Sequence, residues 1–546
     1  MTSNHKVMSI INSSKYATCL LLALTLSSCP SGVSGKPVSA PSSTGTSVAP
    51  RSPIVTPLPP VKSPSLSAPN STPIAQLAYP WTSFLGSHST TGVPESWAGS
   101  LRSVGLNSTG KVTSYNAPYN QTINNLISTQ QKSVIVQVGG LQSSKRLNEA
   151  LAFLNGVKKD GGKQWKDIVY KQALTLAKMP NGPDKVYWQI GNEINSKDHS
   201  LAFRTFFNEG SNSKTFPNDE FVIAGHVEYY LAPTVEALRK ASRDSLASDN
   251  RIRIALGSVA NAGNPSSVDW MNKLLAYRIR GDFAPSLAGK QVKDLVNIIT
   301  IHYLVTSDDT SWREVLTQLS NTWIGQGQIA GIWLTEEIGK LRAYAGRGGA
   351  TALKVTARYL DWALGRSITP TQGRVFMWGS GLGNPGTTGD EAMQTLFNFL
   401  GNTPLSKYGQ PIGLTSPDLE AYGFQSNTDP NKKVIFVFPK IGAKPERLEK
   451  KNLTEREKAR EDARKRRPRN QASFEAIPSP LLQQVSITSA SNAKVSATMN
   501  LFSSSGRSTV PVSVTSLGNS HRLSLGKGIT LSNQAVAVFF VTTSSK

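Results

Sequence analysis

The segment from 133 to 378 alternates short apolar runs with longer amphipathic stretches. The runs are rich in β-branched and aromatic residues, which is typical of parallel strands buried on both faces. Between them, apolar residues recur at helical spacing, as at Leu353, Ala357, Leu360 and Leu364. The predicted strands are SVIVQV (133–138), VYWQI (186–190), RIRIALG (251–257), NIITI (297–301), GIWLT (331–335) and RVFMW (374–378).

Repeated strand–helix units over residues 75–401 predict an α/β fold. Units of this number and length favour a closed (β/α)₈ TIM barrel over an open sheet. Eight strands require two more before residue 133, and the apolar signal there is weak. We place these two strands near Ser83–Gly86 and Val112–Tyr115.

Residues 402–546 have a different pattern, of short alternating strands separated by Ser, Gly and Asn. This pattern predicts a C-terminal β-sandwich. It is interrupted at 441–473 by a charged insertion, in which residues 444–469 hold twelve Lys/Arg and six Asp/Glu. Because the insertion has almost no apolar residues, we expect a solvated helix or a disordered loop. A basic contact with an anionic polymer or surface is the alternative.

The first 28 residues have the features of an export signal. Lys6 and Lys15 precede or flank an apolar run that is too short to span a bilayer. The run ends in Leu26-Ser27-Ser28-Cys29, which resembles a bacterial lipobox, and this resemblance implies that Cys29 carries a lipid. An ordinary secretory signal is the alternative. Residues 29–74 are dominated by Ser, Pro, Thr, Val and Gly, and we predict a flexible stalk.

The composition of the chain limits the chemistry that it could perform and the partners that it could bind. The only cysteines are Cys19 and Cys29, so the chain without its signal would retain no pair for a disulfide and no thiol for catalysis. The formal charge of +24 favours an acidic neighbourhood, such as anionic lipid or polysaccharide. We expect no nucleic-acid partner, because no binding motif with interleaved aromatic residues is present and export argues against one. The sequence has no P-loop, dinucleotide fingerprint, GxSxG motif or convincing metal cluster, and we expect no cofactor and no metal.

Two predicted strands end in glutamates. VYWQI is followed by Gly191-Asn192-Glu193, and GIWLT, three units later, is followed by Glu336 and Glu337. In a barrel of this kind, the residues that follow the strands meet at one mouth. Two carboxylates across that mouth would suit hydrolysis of a glycosidic bond, in which one donates a proton and the other attacks or activates water.

These motifs resemble those of clan A glycoside hydrolases, which carry catalytic glutamates at strands four and seven. VYWQIGNEIN is similar to the strand-four motif, WLTEEIG to the strand-seven motif, and IHY to a His-Tyr motif after strand six. The resemblance implies Glu193 as acid/base and Glu336 as nucleophile. It also implies sugar-binding or positioning roles for Asn192, His302, Tyr303 and Trp378.

In detail, the resemblance implies that Asn192 contacts the sugar 2-hydroxyl and that Tyr303 hydrogen-bonds the nucleophile. His302 would line the sugar site and Trp378 would form a platform beneath the reactive sugar. His302 and Trp378 could instead be structural core residues. Glu337 competes with Glu336, because a shift of one residue reverses the face of a strand.

One departure from the resemblance concerns strand two. Many enzymes of the clan carry an arginine at its end, whereas the segment assigned here, VTSYNAPYN, has none. Asn116 or Tyr115 could substitute, the strand could be misplaced, or the site could have lost activity. The leading hypothesis is a retaining glycoside hydrolase, lipid-anchored in the cell envelope outside the cytoplasm, that acts on a polysaccharide or oligosaccharide. A noncatalytic polysaccharide-binding lipoprotein on the same scaffold is the alternative.

The lipobox hypothesis predicts the behaviour of Cys29→Ser. Because the thiol is the lipid acceptor, the variant should lose lipidation and leave the membrane fraction. Metabolic labelling with a radioactive fatty acid, followed by fractionation, measures both effects. A membrane-bound variant whose signal is cleaved at another position would contradict the hypothesis.

Overall fold

The structure is a computed structural model. In it, the chain forms two units, Met1–Asn70 and Ser71–Lys546. The predicted signal, the Cys29 lipid site, the stalk and the charged insertion lie outside the described residues. The described residues are 75–88, 96–106, 117–138, 141, 147–207, 219–260, 262–305, 312–324, 329–337, 348–378, 387–408, 412–440, 479–489, 493–503, 506–532 and 535–545.

Eight parallel strands form a closed barrel in the second unit. They follow one another in chain order, and the last pairs with the first. The strands are β1 (Leu85–His88), β2 (Ser100–Leu106), β3 (Ser133–Val138), β4 (Val186–Ile190), β5 (Arg253–Val259), β6 (Ile298–His302), β7 (Gly331–Glu337) and β8 (Gly373–Trp378).

The predicted barrel class is confirmed, and the six apolar runs correspond to β3 to β8 within two residues at either end. The first predicted strand, near Ser83–Gly86, overlaps β1. The second was wrong: β2 is Ser100–Leu106, whereas Val112–Tyr115 lies outside the described residues. The sequence SLRSVGL does not predict a buried strand, because Arg, Ser and Gly lower its apolar content.

The helices surround the barrel and connect its strands. Short 3₁₀ and π turns extend or separate several of them. The helices are α1 (Ala117–Asn124), α2 (Leu147–Asp160), α3 (Lys163–Ala177), α4 (Gly182–Lys185), α5 (Lys197–Phe206), α6 (Asp219–His226), α7 (Ala232–Leu246), α8 (Pro265–Ala276), α9 (Trp312–Leu319), α10 (Gly348–Arg366) and α11 (Thr388–Leu400).

Alternation along the strands separates the barrel interior from the layer beneath the helices. Tyr187, Trp333 and Phe376 belong to a small buried cluster contributed by β3 to β8. The next residue of β4, Trp188, belongs instead to the large core that includes the surrounding helices. The interior is therefore closed by large side chains, so any chemistry must take place at the ends of the strands.

The chain after the barrel forms two antiparallel sheets, as predicted. One has the order β10-β13-β17-β16 and the other β15-β14-β18-β12-β11-β9. The strands are β9 (Leu405–Lys407), β10 (Gly413–Leu414), β11 (Leu419–Ser426), β12 (Lys432–Pro439), β13 (Leu481–Thr488), β14 (Ala493–Ser503), β15 (Gly506–Val510), β16 (Ser513–Leu517), β17 (Ser520–Thr530) and β18 (Val536–Ser545).

Strand β12 of the six-stranded sheet is buried on both faces. In β12, Phe436 and Phe438 join the barrel core, while the intervening Val437 joins the core between the two sheets. An ion pair of 2.8 Å between Arg358 on α10 and Glu420 on β11 adds to this contact. The sandwich is therefore packed directly on the helical layer of the barrel.

No helix in the part of the chain that the structure describes combines sufficient length with sufficient apolar character to cross a bilayer.

Close packing at the start of β7 yields a prediction for Gly331→Ala. A Cβ atom there would lie 2.0 Å from the carbonyl oxygen of Thr371. Because this obstacle is backbone, we expect the free energy of unfolding to fall by about 1–3 kcal/mol. Gly156→Ala in α2 is the control: nothing lies within 4 Å of its Cβ position, and alanine should add about 0.5–1 kcal/mol. Chemical denaturation measures both, and equal effects would contradict the prediction.

Candidate functional site

Glu193 is presented at the barrel mouth by an abrupt turn after β4. The turn begins at Gly191, whose φ is +90°, and Glu193 itself has a φ of +46°. A left-handed conformation is costly for a glutamate, and it requires support from the surrounding structure. Backbone hydrogen bonds from Ile194 to Ser258 (3.0 Å) and from Ser196 to Glu193 (2.8 Å) provide that support. The side chain of Glu193 retains 24% exposure.

Glu336 lies near the end of β7 and faces the same mouth. The pairing of β6 with β7 shifts at this point, so that His302 lies opposite Glu336. The side chain of Glu336 is only 7% exposed. Its neighbour Glu337 is fully buried, and its carboxylate accepts a hydrogen bond of 2.9 Å from the backbone of Leu304. The adjacent glutamates thus have different surroundings, and Glu336 is the one beside Glu193.

Arg102 on β2 holds Glu336 in place. Its Nη1 lies 2.6 Å from Glu336 Oε1, and its Nη2 donates to Asn192 Oδ1 at 2.7 Å. Its Nε donates to Gln189 Oε1 at 2.9 Å. The segment assigned to strand two lacks an arginine because that strand was misplaced, which was one of the alternatives considered; β2 itself carries Arg102. The available signal in the sequence was Arg102 itself, which lies between Trp97 and residue 107 in a run with a weak apolar pattern.

Tyr303 and His302 connect the two carboxylates. Tyr303 Oη donates to Glu336 Oε2 at 3.0 Å, and the residue has a φ of +57°. His302 Nδ1 lies 3.4 Å from Glu193 Oε1 and 3.5 Å from Glu336 Oε2. Its Nε2 lies 3.2 Å from Thr335 Oγ1. The structure therefore brings Glu193, Glu336, His302 and Tyr303 together.

The separation of the two carboxylates indicates which chemistry they could perform. Carboxylate oxygens of Glu193 and Glu336 lie within 4.8 Å of each other. Retaining glycosidases have carboxyl groups about 5–5.5 Å apart, whereas inverting ones have them about 6.5–9.5 Å apart to accommodate a water. The short separation suits direct attack by one carboxylate.

The surroundings favour an ionised Glu336. Burial alone would raise its pKa, but electrostatic attraction to His302 and Arg102 outweighs burial and lowers the pKa to about 2. Burial and the charge of Glu336 raise the pKa of Tyr303 far above 10, so its hydroxyl stays protonated and donates a hydrogen bond to Glu336. Glu336 is therefore an anion with fixed donors on both oxygens.

Glu193 has a different balance. Burial raises its pKa, but hydrogen bonding and attraction to His302 and a hydrogen bond from Tyr303 more than offset this effect, so the net pKa lies below 4.5. The negative charge of Glu336 raises the pKa of Glu193, but this effect is smaller than those of His302 and Tyr303. In this arrangement, Glu193 loses its proton at a lower pH than an ordinary glutamic acid.

A buried polar layer lies directly beneath the site. Gln189 Nε2 donates to Ser258 Oγ at 3.0 Å, and Ser258 Oγ lies 3.0 Å from both Thr300 Oγ1 and Thr335 Oγ1. Through Gln189 this layer reaches Arg102, and through Thr335 it reaches His302. Two anchors of the carboxylates are thus linked by one continuous hydrogen-bond network.

His88, which the sequence analysis did not select, adds to the site from the end of β1. Its Nδ1 lies 3.4 Å from Arg102 Nη1. Burial and the nearby charge of Arg102 lower its pKa to about 3, so the ring is neutral except in strong acid. Trp378 ends β8 and pairs in register with His88. The Trp378 side chain is outside the described part of the chain, and its platform role stays a prediction.

Glu193, His302 and Glu336 are also a possible donor set for a metal ion, since one donor atom from each lies within 4.8 Å of the others. However, Glu336 Oε1 already accepts from Arg102 and Oε2 from Tyr303. A cation would compete with the Arg102 guanidinium for the same carboxylate. The donors around Glu336 therefore suit an anion held by hydrogen bonds better than a metal ligand.

Comparisons with known proteins show which solved structures this chain resembles. No protein-family model matches the chain, and no curated protein matches it. Among solved structures, a family 44 xyloglucanase from Paenibacillus polymyxa, solved with xyloglucan, is 8% identical with a TM-score of 0.41; the match covers 86% of this chain and 98% of that one. A family 44 endoglucanase from Clostridium acetobutylium is 11% identical, with a TM-score of 0.38 and the same coverages.

A third match is a broad-specificity endoglucanase of subfamily GH5-4 from an uncultured bacterium. It is 14% identical, covers 54% of this chain and 80% of that one, and has a TM-score of 0.34. The chain is thus distantly similar in structure to glycoside hydrolases.

The lowered pKa of Glu336 predicts a pH-dependent effect of Glu336→Gln. A carboxylate whose pKa falls from 4.5 to about 2 on folding stabilises the fold above pH 4.5, and this stabilisation is lost as the pH falls towards 2. We expect the variant to be less stable by on the order of 3 kcal/mol at pH 7 and by roughly half of that at pH 3.

Urea denaturation at the two pH values measures this difference. Glu314→Gln, at an exposed position of α9, is the control and should stay within about 0.5 kcal/mol at both. A cost of Glu336→Gln that is equal at pH 7 and pH 3 would contradict the prediction.

Proposed function

We propose that this protein is a retaining glycoside hydrolase that acts on a cell-surface or extracellular glycan by double displacement. The observation that carries the proposal is the pair Glu193 and Glu336, whose carboxylate oxygens lie within 4.8 Å at the mouth of the barrel. Arg102 and Tyr303 hold Glu336 as an oriented anion. An ionised carboxylate beside a second carboxyl group is what this reaction requires.

In the first step, an oxygen of Glu336 attacks the anomeric carbon and the glycosidic bond breaks. The leaving oxygen takes a proton from Glu193, and a glycosyl ester forms on Glu336. In the second step, Glu193 removes a proton from water, whose oxygen attacks the same carbon and releases Glu336. Each proton given in the first step is recovered in the second, so the enzyme returns to its starting state.

The low pKa of Glu193 restricts its role as an acid. Donation in the first step requires the protonated form, which its contacts with His302 and Tyr303 disfavour. We infer that activity is greatest under acidic conditions, or that a bound sugar replaces these hydrogen bonds. Formation of the ester on Glu336 removes a negative charge that otherwise raises the pKa of Glu193, which favours Glu193 as the base of the second step.

The neighbouring residues are proposed to bind the sugar. Asn192 Oδ1 accepts a hydrogen bond from Arg102 Nη2, and its amide nitrogen is proposed to donate to the 2-hydroxyl. His302 and Tyr303 border both carboxylates and are placed to contact the ring. Trp378 is proposed as the platform beneath it. None of these roles requires a cofactor.

The net charge of +24 supports an anionic glycan as substrate. The lipobox supports a location in the cell envelope, with the protein lipid-anchored through Cys29 on the extracytoplasmic side. A noncatalytic binding scaffold is the less favoured function. A binding site would not need two carboxylates so close together, nor one with its pKa lowered to about 2.

Substitution of the two glutamates tests the mechanism. Glu336→Ala should reduce hydrolysis of an aryl glycoside by at least about 10⁴-fold, because no other group forms the covalent ester. Added azide should restore turnover by attacking from the vacated face, with a product of inverted configuration. Glu193→Ala should retain the first step for substrates with good leaving groups, while hydrolysis of the ester slows. Stopped-flow release of the phenol and NMR of the product measure these effects.

Glu337→Gln is the matched control, since it changes the adjacent carboxylate, which bonds the backbone of Leu304. It should retain most activity. Full activity in both Glu193→Ala and Glu336→Ala, with the fold intact by circular dichroism, would refute the mechanism.

A further inference from the structure

A cavity lies at the opposite end of the barrel from the carboxylates. It has a volume of about 460 Å³ and is bordered by the beginnings of the strands rather than their ends. Ser133 begins β3, Arg253 begins β5 and Lys185 immediately precedes β4. In TIM barrels this end usually serves stability. The charges that line the cavity are unusual for that role.

Cationic residues predominate in the wall of this cavity. Lys132, Lys185, Arg253 and Arg374 all line it, and Asp184 is the one acidic residue among the described residues that line it. The Asp184 carboxylate is 56% exposed and is shared between Arg253 at 3.5 Å and Arg251 at 3.7 Å. It therefore neutralises only a small part of the positive charge.

Arg374 is the most deeply buried of these cations, at 7% exposure. Its Nε donates to the carbonyl of Pro370 at 2.7 Å and its Nη1 to Ser100 Oγ at 2.5 Å. Its guanidinium carbon lies 4.5 Å from the centre of the Trp333 ring. Within the described chain, Nη2 has no hydrogen-bond partner and no carboxylate lies within 4 Å of the guanidinium. A buried cation normally has a counter-charge.

Lys185 and Arg253 extend this positive region. Lys185 donates to the carbonyl of Gln131 at 3.2 Å, and burial and the nearby Arg374 and Arg253 lower its pKa. Arg253 donates to the hydroxyl of Tyr187 at 2.6 Å. Both cations therefore bind neutral groups, apart from the shared and exposed Asp184. The mutual repulsion among these three cations would be relieved by an anion in the cavity.

We propose that this cavity binds a phosphate group, either free or esterified to a small molecule. Two guanidinium groups and an ammonium are the donors that bind phosphate most strongly. Hydroxyl-bearing residues also line the cavity, among them Ser83 and Thr371. The cavity exceeds the size of one phosphate ion, so a small ester also fits. The site is separate from the glutamates and does not depend on the proposed hydrolase activity.

Isothermal titration calorimetry on the full chain at low salt tests the proposal. The titrants are inorganic phosphate, glycerol 3-phosphate and, as the neutral control, glycerol. Saturable binding of phosphate and its ester with equal affinity would identify the free anion as sufficient. Tighter binding of glycerol 3-phosphate would identify a phosphate ester as the preferred ligand. Binding of neither would overturn the proposal.

Variants assign the binding to this cavity. Lys185→Gln and Arg253→Gln should each weaken phosphate binding by about tenfold or more, because each loses a charged donor. Arg251→Gln is the matched control: it removes the same charge and also contacts Asp184, but Arg251 does not line the cavity. It should change affinity less than threefold. Equal losses in Arg251→Gln and Arg253→Gln would show a general charge effect and overturn the proposal.

Discussion

The buried ion pair between Arg102 and Glu336 is the interaction on which the rest of the mouth depends. Placing two charges under the surface is expensive, and attraction between them compensates only when the remaining donors and acceptors are also satisfied. Here Arg102 bonds Glu336, Asn192 and Gln189 together, and Tyr303 bonds the second oxygen of Glu336. The pair therefore fixes the ends of β2, β4, β6 and β7 relative to one another.

Backbone strain at the same mouth is consistent with this dependence. Glu193 and Tyr303 both have positive φ angles, which for such residues cost on the order of 1–3 kcal/mol each. Both turns are held by main-chain hydrogen bonds, from Ser196 to Glu193 and from Tyr303 to Glu336. The barrel thus holds two unfavourable conformations that direct functional side chains into one space. In the proposed hydrolysis, groups held in this way would need little rearrangement before they react.

The two ends of the barrel have opposite chemistry, and the interior explains why they remain separate. Tyr187, Trp333 and Phe376 close the centre with large rings. On one side of this plug, the polar layer around Ser258 supports the glutamates. On the other side, the Arg374 guanidinium lies against Trp333 and borders a cavity lined by cations. Trp333, one of these three rings, therefore contacts Arg374 at the base of the barrel rather than the carboxylates.

The sequence by itself determined the elements with strong local signals: six of the eight barrel strands and the change to antiparallel sheets after residue 401. Both follow from hydrophobic periodicity over a few residues, which the local chain encodes. Once those strands were placed, the sequence also showed glutamates at the ends of β4 and β7. It did not locate β2 or Arg102, because a strand with few apolar residues and a charged inward side chain resembles a loop until its neighbours are known. The choice between Glu336 and Glu337 likewise required the shifted pairing of β6 with β7, which only the closed barrel decides. The cationic cavity could not be predicted either, since Lys185, Arg253 and Arg374 are far apart in the chain and meet only when the strand starts are brought into a ring.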